Sequence, residues 1–297
     1  MILISACLGG IPCRMDGASK PSTAVQKLIA EGRAVPICPE VMGGLPTPRI
    51  PSERLGERVV NRAGENVTAA FQRGAEAALR VCLETGCTAA ILKAKSPSCG
   101  FGTIHNGLFD DGLTEGNGVL VDLLIRQGIP VMTEQDYDGS VLLRRIEARD
   151  NAAVAQLVRS SLIAFGATEE GSALSDPMLD CFSEFYVGEG RAYWVAESAA
   201  GEILGGVGIG ELPGAAGVCE LQKLYCIPSA RGTGVAQLLM KNALAYAKAW
   251  YRACYLESFA NMKAAHRFYE KHGFRRIAEP MGETGHSSCE VFYFKEL

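Results

Sequence analysis

The 297-residue sequence predicts an α/β chain with two halves of different architecture. Two observations carry this. From the first residue to about Asp138, short apolar runs alternate with amphipathic helical stretches, which implies a parallel sheet with helices on its faces. Near Tyr137-Asp-Gly139-Ser the pattern resets to consecutive strands followed by helices, which implies an α+β domain with a mixed sheet. We therefore place two domains at 1–138 and 139–297. Charge does not mark the boundary. Residues 1–138 carry 15 acidic and 13 basic side chains and 139–297 carry 18 and 16, so each half is −2.

In the first half, Ile2–Ala6 is an apolar run ending at Cys7. Ser22 is placed to cap a helix whose apolar face is Val25, Leu28 and Ile29. Ala34–Ile37 is a second strand ending at Cys38. Val67–Glu84 is helical, with Phe71, Ala75, Ala78, Leu79, Cys82 and Leu83 on one side and Gly86 as terminator. Thr88–Leu92 is a third strand, Gly118–Gln127 a helix, and Ile129–Thr133 a fourth strand. Asn106-Gly107 between Thr103-Ile104 and Leu108-Phe109 predicts a hairpin insertion. In the second half, strands are expected at Leu142–Glu147, Tyr193–Glu197, Glu202–Gly210, Val218–Cys226, Ala253–Ser258 and Val291–Lys295. Helices are expected at Ala152–Leu162, Gly234–Trp250 and Met262–Lys271.

Composition narrows the function classes. At 48% hydrophobic and 21% charged, with a net charge of −4, the chain is that of a globular protein with no broad basic footprint for a phosphate backbone. No apolar run reaches membrane-spanning length, and the apolar opening segment has no basic flank, so neither an anchor nor a signal peptide is expected. The eleven cysteines include no C-x-x-C pair, and reduced thiols in a cytoplasmic setting are the expectation. The sequence sets no oligomeric state.

The cysteines of the first half fall at strand ends. Cys7, Cys38 and Cys99 each follow a predicted strand, and loops beyond the carboxyl ends of a parallel sheet gather on one edge. Three thiols without a C-x-x-C knuckle or a nearby histidine fit zinc poorly; a redox disulfide stays open, and thiolates alone favour an iron–sulfur cluster. Cys82 and Cys87 read as core residues. The surrounding motifs are long: Ser5-Ala-Cys7-Leu-Gly-Gly-Ile-Pro-Cys13-Arg14-Met-Asp16-Gly17, Cys38-Pro39-Glu40-Val-Met-Gly43-Gly44-Leu-Pro46-Thr-Pro48-Arg49 and Lys95-Ser96-Pro97-Ser98-Cys99-Gly100. They resemble the thiouracil desulfidase family over residues 1–138. The resemblance implies a Rossmann-like parallel sheet and an oxygen-sensitive four-iron four-sulfur ([4Fe-4S]) cluster on three cysteines. Its non-ligated iron would take sulfur from a thiolated pyrimidine without net redox change. Carried over by position, Cys7, Cys38 and Cys99 are the ligands, with Cys13 the rival. Glu40 would activate water or pass a proton, and Ser96, or alternatively Ser98, would orient it. Arg49 would hold a carbonyl or phosphate, or else pair with Glu53. Met15 and Gly9 depart from the family, which commonly has an aromatic and a bulky aliphatic residue there.

In the second half, Arg231-Gly232-Thr-Gly234-Val235-Ala236 follows a strand and opens a helix, the arrangement of a pyrophosphate cradle as well as of an ordinary strand-to-helix turn. With Glu220-Leu-Gln-Lys-Leu224-Tyr-Cys226-Ile-Pro228, Asn261 and Phe268-Tyr269-Glu-Lys-His-Gly273-Phe, it resembles the Gcn5-related N-acetyltransferases over residues 140–297. The resemblance implies acetyl-CoA, with its pantetheine arm along Leu221–Cys226 and its pyrophosphate on the N–H groups of 231–236. Tyr269 would protonate the leaving thiolate, Asn261 would be a cofactor-side polar residue, and Glu220 would be a general base or an exposed strand carboxylate. The acceptor amine is set by Phe165–Tyr186, where Asp176, Asp180 and Glu184, with Glu189 just beyond, would suit a cation or form a solvated helix face. Together these imply a bifunctional enzyme acting on a thiolated pyrimidine or thiolated RNA nucleoside and on an unidentified amine. The alternatives are an acetyltransferase with a non-catalytic iron–sulfur sensor, or one with a domain that recognises a thiolated nucleobase or RNA.

Overall fold

The computed structural model describes residues 1–167, 174, 176–285 and 288–297. It is mixed α/β and divides into two compact units, Met1–Leu143 and Arg144–Leu297.

The first unit runs β1 (Ile2–Ser5), α1 (Thr23–Ala30), β2 (Ala34–Ile37), α2 (Pro39–Met42), β3 (Ser52–Leu55), β4 (Arg58–Asn61), α3 (Thr68–Glu84), β5 (Ala89–Leu92), β6 (Thr103–His105), β7 (Leu113–Glu115), α4 (Val119–Arg126) and β8 (Val131–Thr133). Its main sheet has the order β2-β1-β5-β8, all parallel, with β1 paired to β2 from Ile2↔Ala34 to Ser5↔Ile37. Every residue of β1 and β5 is buried, as expected of parallel strands covered on both faces. Val25 and Leu28 of α1, Phe71, Ala75, Ala78 and Cys82 of α3, and Leu120, Val121 and Leu124 of α4 supply the helical side of this core.

A close approach of two helices fixes the position of Cys38. A Cβ at Gly74 would lie 1.8 Å from the Pro39 carbonyl oxygen, and one at Gly43 2.0 Å from that of Ala70. The backbones of α2 and α3 are therefore in contact, and Cys38, which precedes α2, is set against a long helix rather than left on a free loop. Cys82 and Cys87 close the carboxyl end of α3: the Cys87 N–H donates to the Cys82 carbonyl at 2.9 Å and Gly86 N–H to Leu83, a Schellman arrangement.

The strand opposite Thr103-Ile104 is Leu113–Glu115, not Leu108-Phe109. The intervening loop is instead folded onto Glu53, whose Oε2 accepts from the N–H groups of Gly107 and Phe109 at 2.9 and 3.1 Å. The hairpin of β3 and β4 was not expected; its short alternating stretch interrupted by Gly56 lacks a strong apolar run. Ser22 occupies the N-cap position of α1 without a side-chain bond to the helix.

The second sheet has the order β14-β15-β13-β12-β11-β10-β9, from β9 (Val141–Arg145), β10 (Ala192–Ser198), β11 (Ile203–Glu211), β12 (Val218–Cys226), β13 (Ala253–Ser258), β14 (Arg275–Ile277) and β15 (Val291–Glu296). The helices are α5 (Asn151–Ala164), a single turn α6 (Phe182–Phe185), α7 (Val235–Trp250) and α8 (Lys263–Lys271). From β10 to β14 the neighbouring strands pair antiparallel except for β12 with β13, the mixed pattern expected. The strand β14 was missed because Arg275-Arg-Ile277 is too polar to read as one.

Candidate active sites

At the carboxyl edge of the parallel sheet the chain gathers four cysteines. Cys7 lies in a 3-10 turn immediately after β1, Cys38 at the N-cap of α2 after β2, and Cys99 in the loop after β5. Cys13 joins them: its thiol is hydrogen-bonded to both Cys38 and Cys7, and Cys38 Sγ also donates to the Cys13 carbonyl at 3.6 Å. Cys7, Cys13 and Cys99 are buried and Cys38 is half-buried. The hydrogen bond with Cys38 draws the Cys13 thiol down, but its bond with Cys7 and its burial outweigh this and leave it raised. The hydrogen bond with Cys13, then burial, push Cys38 well up, and burial does the same to Cys99. Metal loading of such thiols must release their protons. Among the described residues no three His, Cys, Asp or Glu side chains converge as ligands of a single ion. An all-sulfur donor set spread along a sheet edge, with no histidine among it, fits a polynuclear iron–sulfur centre better than zinc.

Beside the thiols sits Glu40, in the first turn of α2. Its Oε2 accepts from Arg49 Nε at 2.6 Å and its Oε1 from the Ser98 hydroxyl at 3.0 Å. Arg49 also donates from both terminal nitrogens to the Cys13 carbonyl, each at 3.1 Å, tying the loop of Cys13 to the carboxylate. The arginine thus pairs with Glu40, and Glu53 is engaged by the loop after β6. Of the two serines it is Ser98, 1% exposed, that reaches Glu40. The Ser96 hydroxyl instead accepts from the N–H groups of Ser98 and Cys99 at 3.1 and 3.2 Å, capping the turn that presents Cys99. Ser96 and Ser98 are equally placed in the motif, and only the turn geometry tells them apart.

In the second unit, β12 pairs with β13 from Val218↔Ala253 to Glu220↔Tyr255 and no further. Beyond Glu220 the two strands diverge, and a cleft opens between them lined by Leu221–Tyr225, Glu257–Phe259, Met262, Tyr269 and Cys289. A bulge in β12, where the register shifts and Lys223 takes a φ of 51°, sharpens this divergence. Gly232 and Gly234 have φ of 79° and 96°, and a Cβ on either would meet nothing within 4 Å. Gly234 caps α7, followed by Val235 and Ala236 in its first turn, so the helix N-terminus faces open space beside Arg231, the shape an anion would fill.

Tyr269 is buried in the cleft wall, and burial holds its hydroxyl well above the usual range, in the protonated form. Glu220 is 6% exposed, which removes the alternative of an exposed strand carboxylate. Gln222 donates to it at 2.7 Å and accepts from the Tyr186 hydroxyl at 2.8 Å. Gln222 and Tyr186 fall in the stretches expected to carry the pantetheine arm and to set the acceptor, but neither was singled out as a partner of Glu220, although Gln222, two residues along the strand, must share a face with it. Leu224 lines the cleft, and burial pushes the Cys226 thiol up to about 11. Asn261 donates to the Phe165 carbonyl at 2.8 Å, in a neighbouring hollow shared with Ala167 and Glu290. Residues 168–173 and 175 of the expected specificity stretch lie outside the described residues. Of its acidic side chains, Asp176 bonds Lys223 at 2.7 Å and Asp180 bonds Arg159 at 2.6 Å, so that pair serves the fold.

Residues 2–136 match the family model for 2-thiouracil desulfurase, and 159–274 that for the acetyltransferase (GNAT) family. The uncharacterized protein YbbK of Bacillus subtilis (strain 168) is 41% identical over 148 residues, 46% of this chain and 98% of its own. The uncharacterized N-acetyltransferase YjgM of Escherichia coli (strain K12) is 40% identical over 161 residues, 53% of this chain and 96% of its own. Among solved structures, the [4Fe-4S]-dependent thiouracil desulfidase TudS is 54% identical over 45% of this chain and 90% of that one, with a TM-score of 0.44. The chain belongs to two families at once, its first half to the 2-thiouracil desulfurases and its second to the GNAT acetyltransferases.

Proposed function

We propose that the two halves, with their boundary near 138/139, form a bifunctional enzyme. The first would convert a thiolated pyrimidine, as free base, nucleoside or RNA residue, to the oxo-pyrimidine and sulfide. The second would move acetyl from acetyl-CoA to an amine. The observation that carries the first activity is Glu40, held by Arg49 and Ser98 beside the gathered thiols. A sensor needs ligands only, whereas this arrangement adds a group able to move a proton. Cys7, Cys38 and Cys99 would hold a four-iron four-sulfur cluster, whose iron without a protein ligand supplies a Lewis acid for soft thione sulfur. Glu40 then takes a proton from the water attacking the C–S carbon, through the oxygen that Ser98 addresses, while Arg49 fixes the other oxygen. Ser98, rather than Ser96, is the orienting hydroxyl in this reading.

In the second half, the free edge of Leu224–Cys226 would carry the pantetheine arm, and residues 231–236 the pyrophosphate. Glu220, oriented by Gln222, accepts the proton of the attacking amine, and Tyr269 gives one to the leaving thiolate. Asn261 lies on the cofactor side. Cytoplasmic residence is part of the proposal, and among the described residues no helix is long and apolar enough to cross a membrane.

Iron loading tests the ligand set. The anaerobically reconstituted chain should carry about four irons, and alanine at Cys7, Cys38 or Cys99 should each strip them. Loss of iron in Cys13→Ala with retention in one of those three would replace that ligand by Cys13.

A further inference from the structure

The cleft of the second half holds a carboxylate that the proposed acetyl transfer does not use. Glu257 lies on β13 and lines the cleft with Glu220, Tyr269 and Cys289. Its oxygens accept from the Tyr255 hydroxyl at 2.8 Å and from the Thr284 hydroxyl at 3.0 Å to each oxygen. Both donors are neutral, and they are its hydrogen-bond partners among the described residues. The lysine of the cleft, Lys223, is engaged by Asp176 at 2.7 Å. The charge of Glu257 is felt inside: burial, then Glu257, push the Cys289 thiol up to about 12. Tyr269, 7% exposed, lines the same space, and its hydroxyl makes no hydrogen bond to a described residue.

A half-buried carboxylate oriented by hydroxyls has lost part of its hydration, so a cation entering the cleft is favoured and an anion is opposed. The nitrogen that is acetylated must be unprotonated when it attacks, so it cannot be the lasting cation that Glu257 selects. We infer that Glu257 recognises a second, ammonium group of the acceptor, making the preferred acceptor a small diamine rather than an amino acid. This rests on the acetyltransferase reading and adds to it a specificity residue and a substrate class. The transfer balances: the C–S bond breaks, the C–N bond forms, and acetyl-CoA plus one ammonium give the amide, free CoA thiol and a proton. The second ammonium is unchanged.

The test is calorimetry on the full chain, with CoA present, using 1,4-diaminobutane, n-butylamine and 4-aminobutyrate. The diamine should bind at least about tenfold tighter than butylamine, and 4-aminobutyrate weakest. Glu257→Gln should bring the diamine-to-butylamine ratio to about one, and Thr284→Val, which keeps the carboxylate but loosens it, should lower the ratio less. Equal binding of diamine and butylamine, or a ratio that survives Glu257→Gln, overturns the proposal. A chain that prefers the diamine yet never acetylates it refutes the acetyl-transfer reading and leaves recognition by Glu257 standing.

Discussion

At Glu40 the two carboxylate oxygens are divided between a guanidinium and a hydroxyl. That division gives the neighbouring serines different fates on substitution. Ser98→Ala removes a buried hydroxyl that orients Glu40, the proposed base, so desulfuration should fall by about tenfold or more with iron content unchanged. Ser96→Ala removes a cap from the turn carrying Cys99, so it should lower iron retention and activity together. Measuring iron and sulfide release on both variants separates the roles; a Ser98→Ala enzyme at full rate would show that the bond to Glu40 is structural. The choice of serine was not legible in the sequence, because both lie within three residues of Cys99 and only backbone geometry distinguishes them. The partner of Arg49 was not legible either: a carbonyl, a phosphate or Glu53 was expected, and the structure pairs it with Glu40, nine residues before it.

At the scale of elements, long periodic segments were legible and short polar ones were not. The strands Val218–Cys226 and Ala253–Ser258 are found where their apolar alternation puts them, whereas the hairpin of β3 and β4 and the strand β14 are held by tertiary pairing alone. The divergence of β12 from β13, which makes the cleft, depends on a bulge that no residue pattern announces. The turn into α7 was legible in part: its glycines were expected, and their φ values show why they are needed. Gly234→Val would force a branched residue to a φ of 96° and fill the open space before α7. Acetyl-CoA affinity should drop at least about tenfold, since strain of ~1–3 kcal/mol and a steric block act together. Calorimetry on the full chain checks this, and unchanged affinity would remove the pyrophosphate from this turn.

Across the whole molecule the second unit begins with an ion-pair network that acid should undo. Arg144 donates to both oxygens of Asp150 at 2.6 and 2.8 Å and to both of Glu197 at 2.9 and 3.1 Å, with side-chain exposures of 3%, 5% and 13%. Burial raises Asp150, but the bonds from Arg144 and from the Glu147 N–H prevail and depress it; Glu197 is depressed chiefly by Arg144. A depressed carboxylate contributes stability that is present above its unfolded value of about 4 and lost as pH falls through its folded value. Both tryptophans, Trp194 and Trp250, lie in this unit, so their fluorescence reports its unfolding alone. Urea midpoints should hold near neutrality and fall steeply below about pH 4. Arg144→Met should cost ~3–5 kcal/mol at pH 7 and flatten that fall, since it leaves two carboxylates without their cation. An unchanged acid limb in the variant would assign the pH dependence to other groups.

In the proposed function the first half is a working catalyst and not a metal-binding relic. Anaerobic sulfide release from 2-thiouracil by the iron-loaded full chain, comparing wild type with Glu40→Gln, tests this most directly. Wild type should yield sulfide and uracil in equal amounts. Glu40→Gln should keep its iron while losing ~10²–10⁴ in rate, because it deletes proton transfer without touching a ligand. Sulfide release by the variant at near the wild-type rate, or none from iron-loaded wild type, would contradict it.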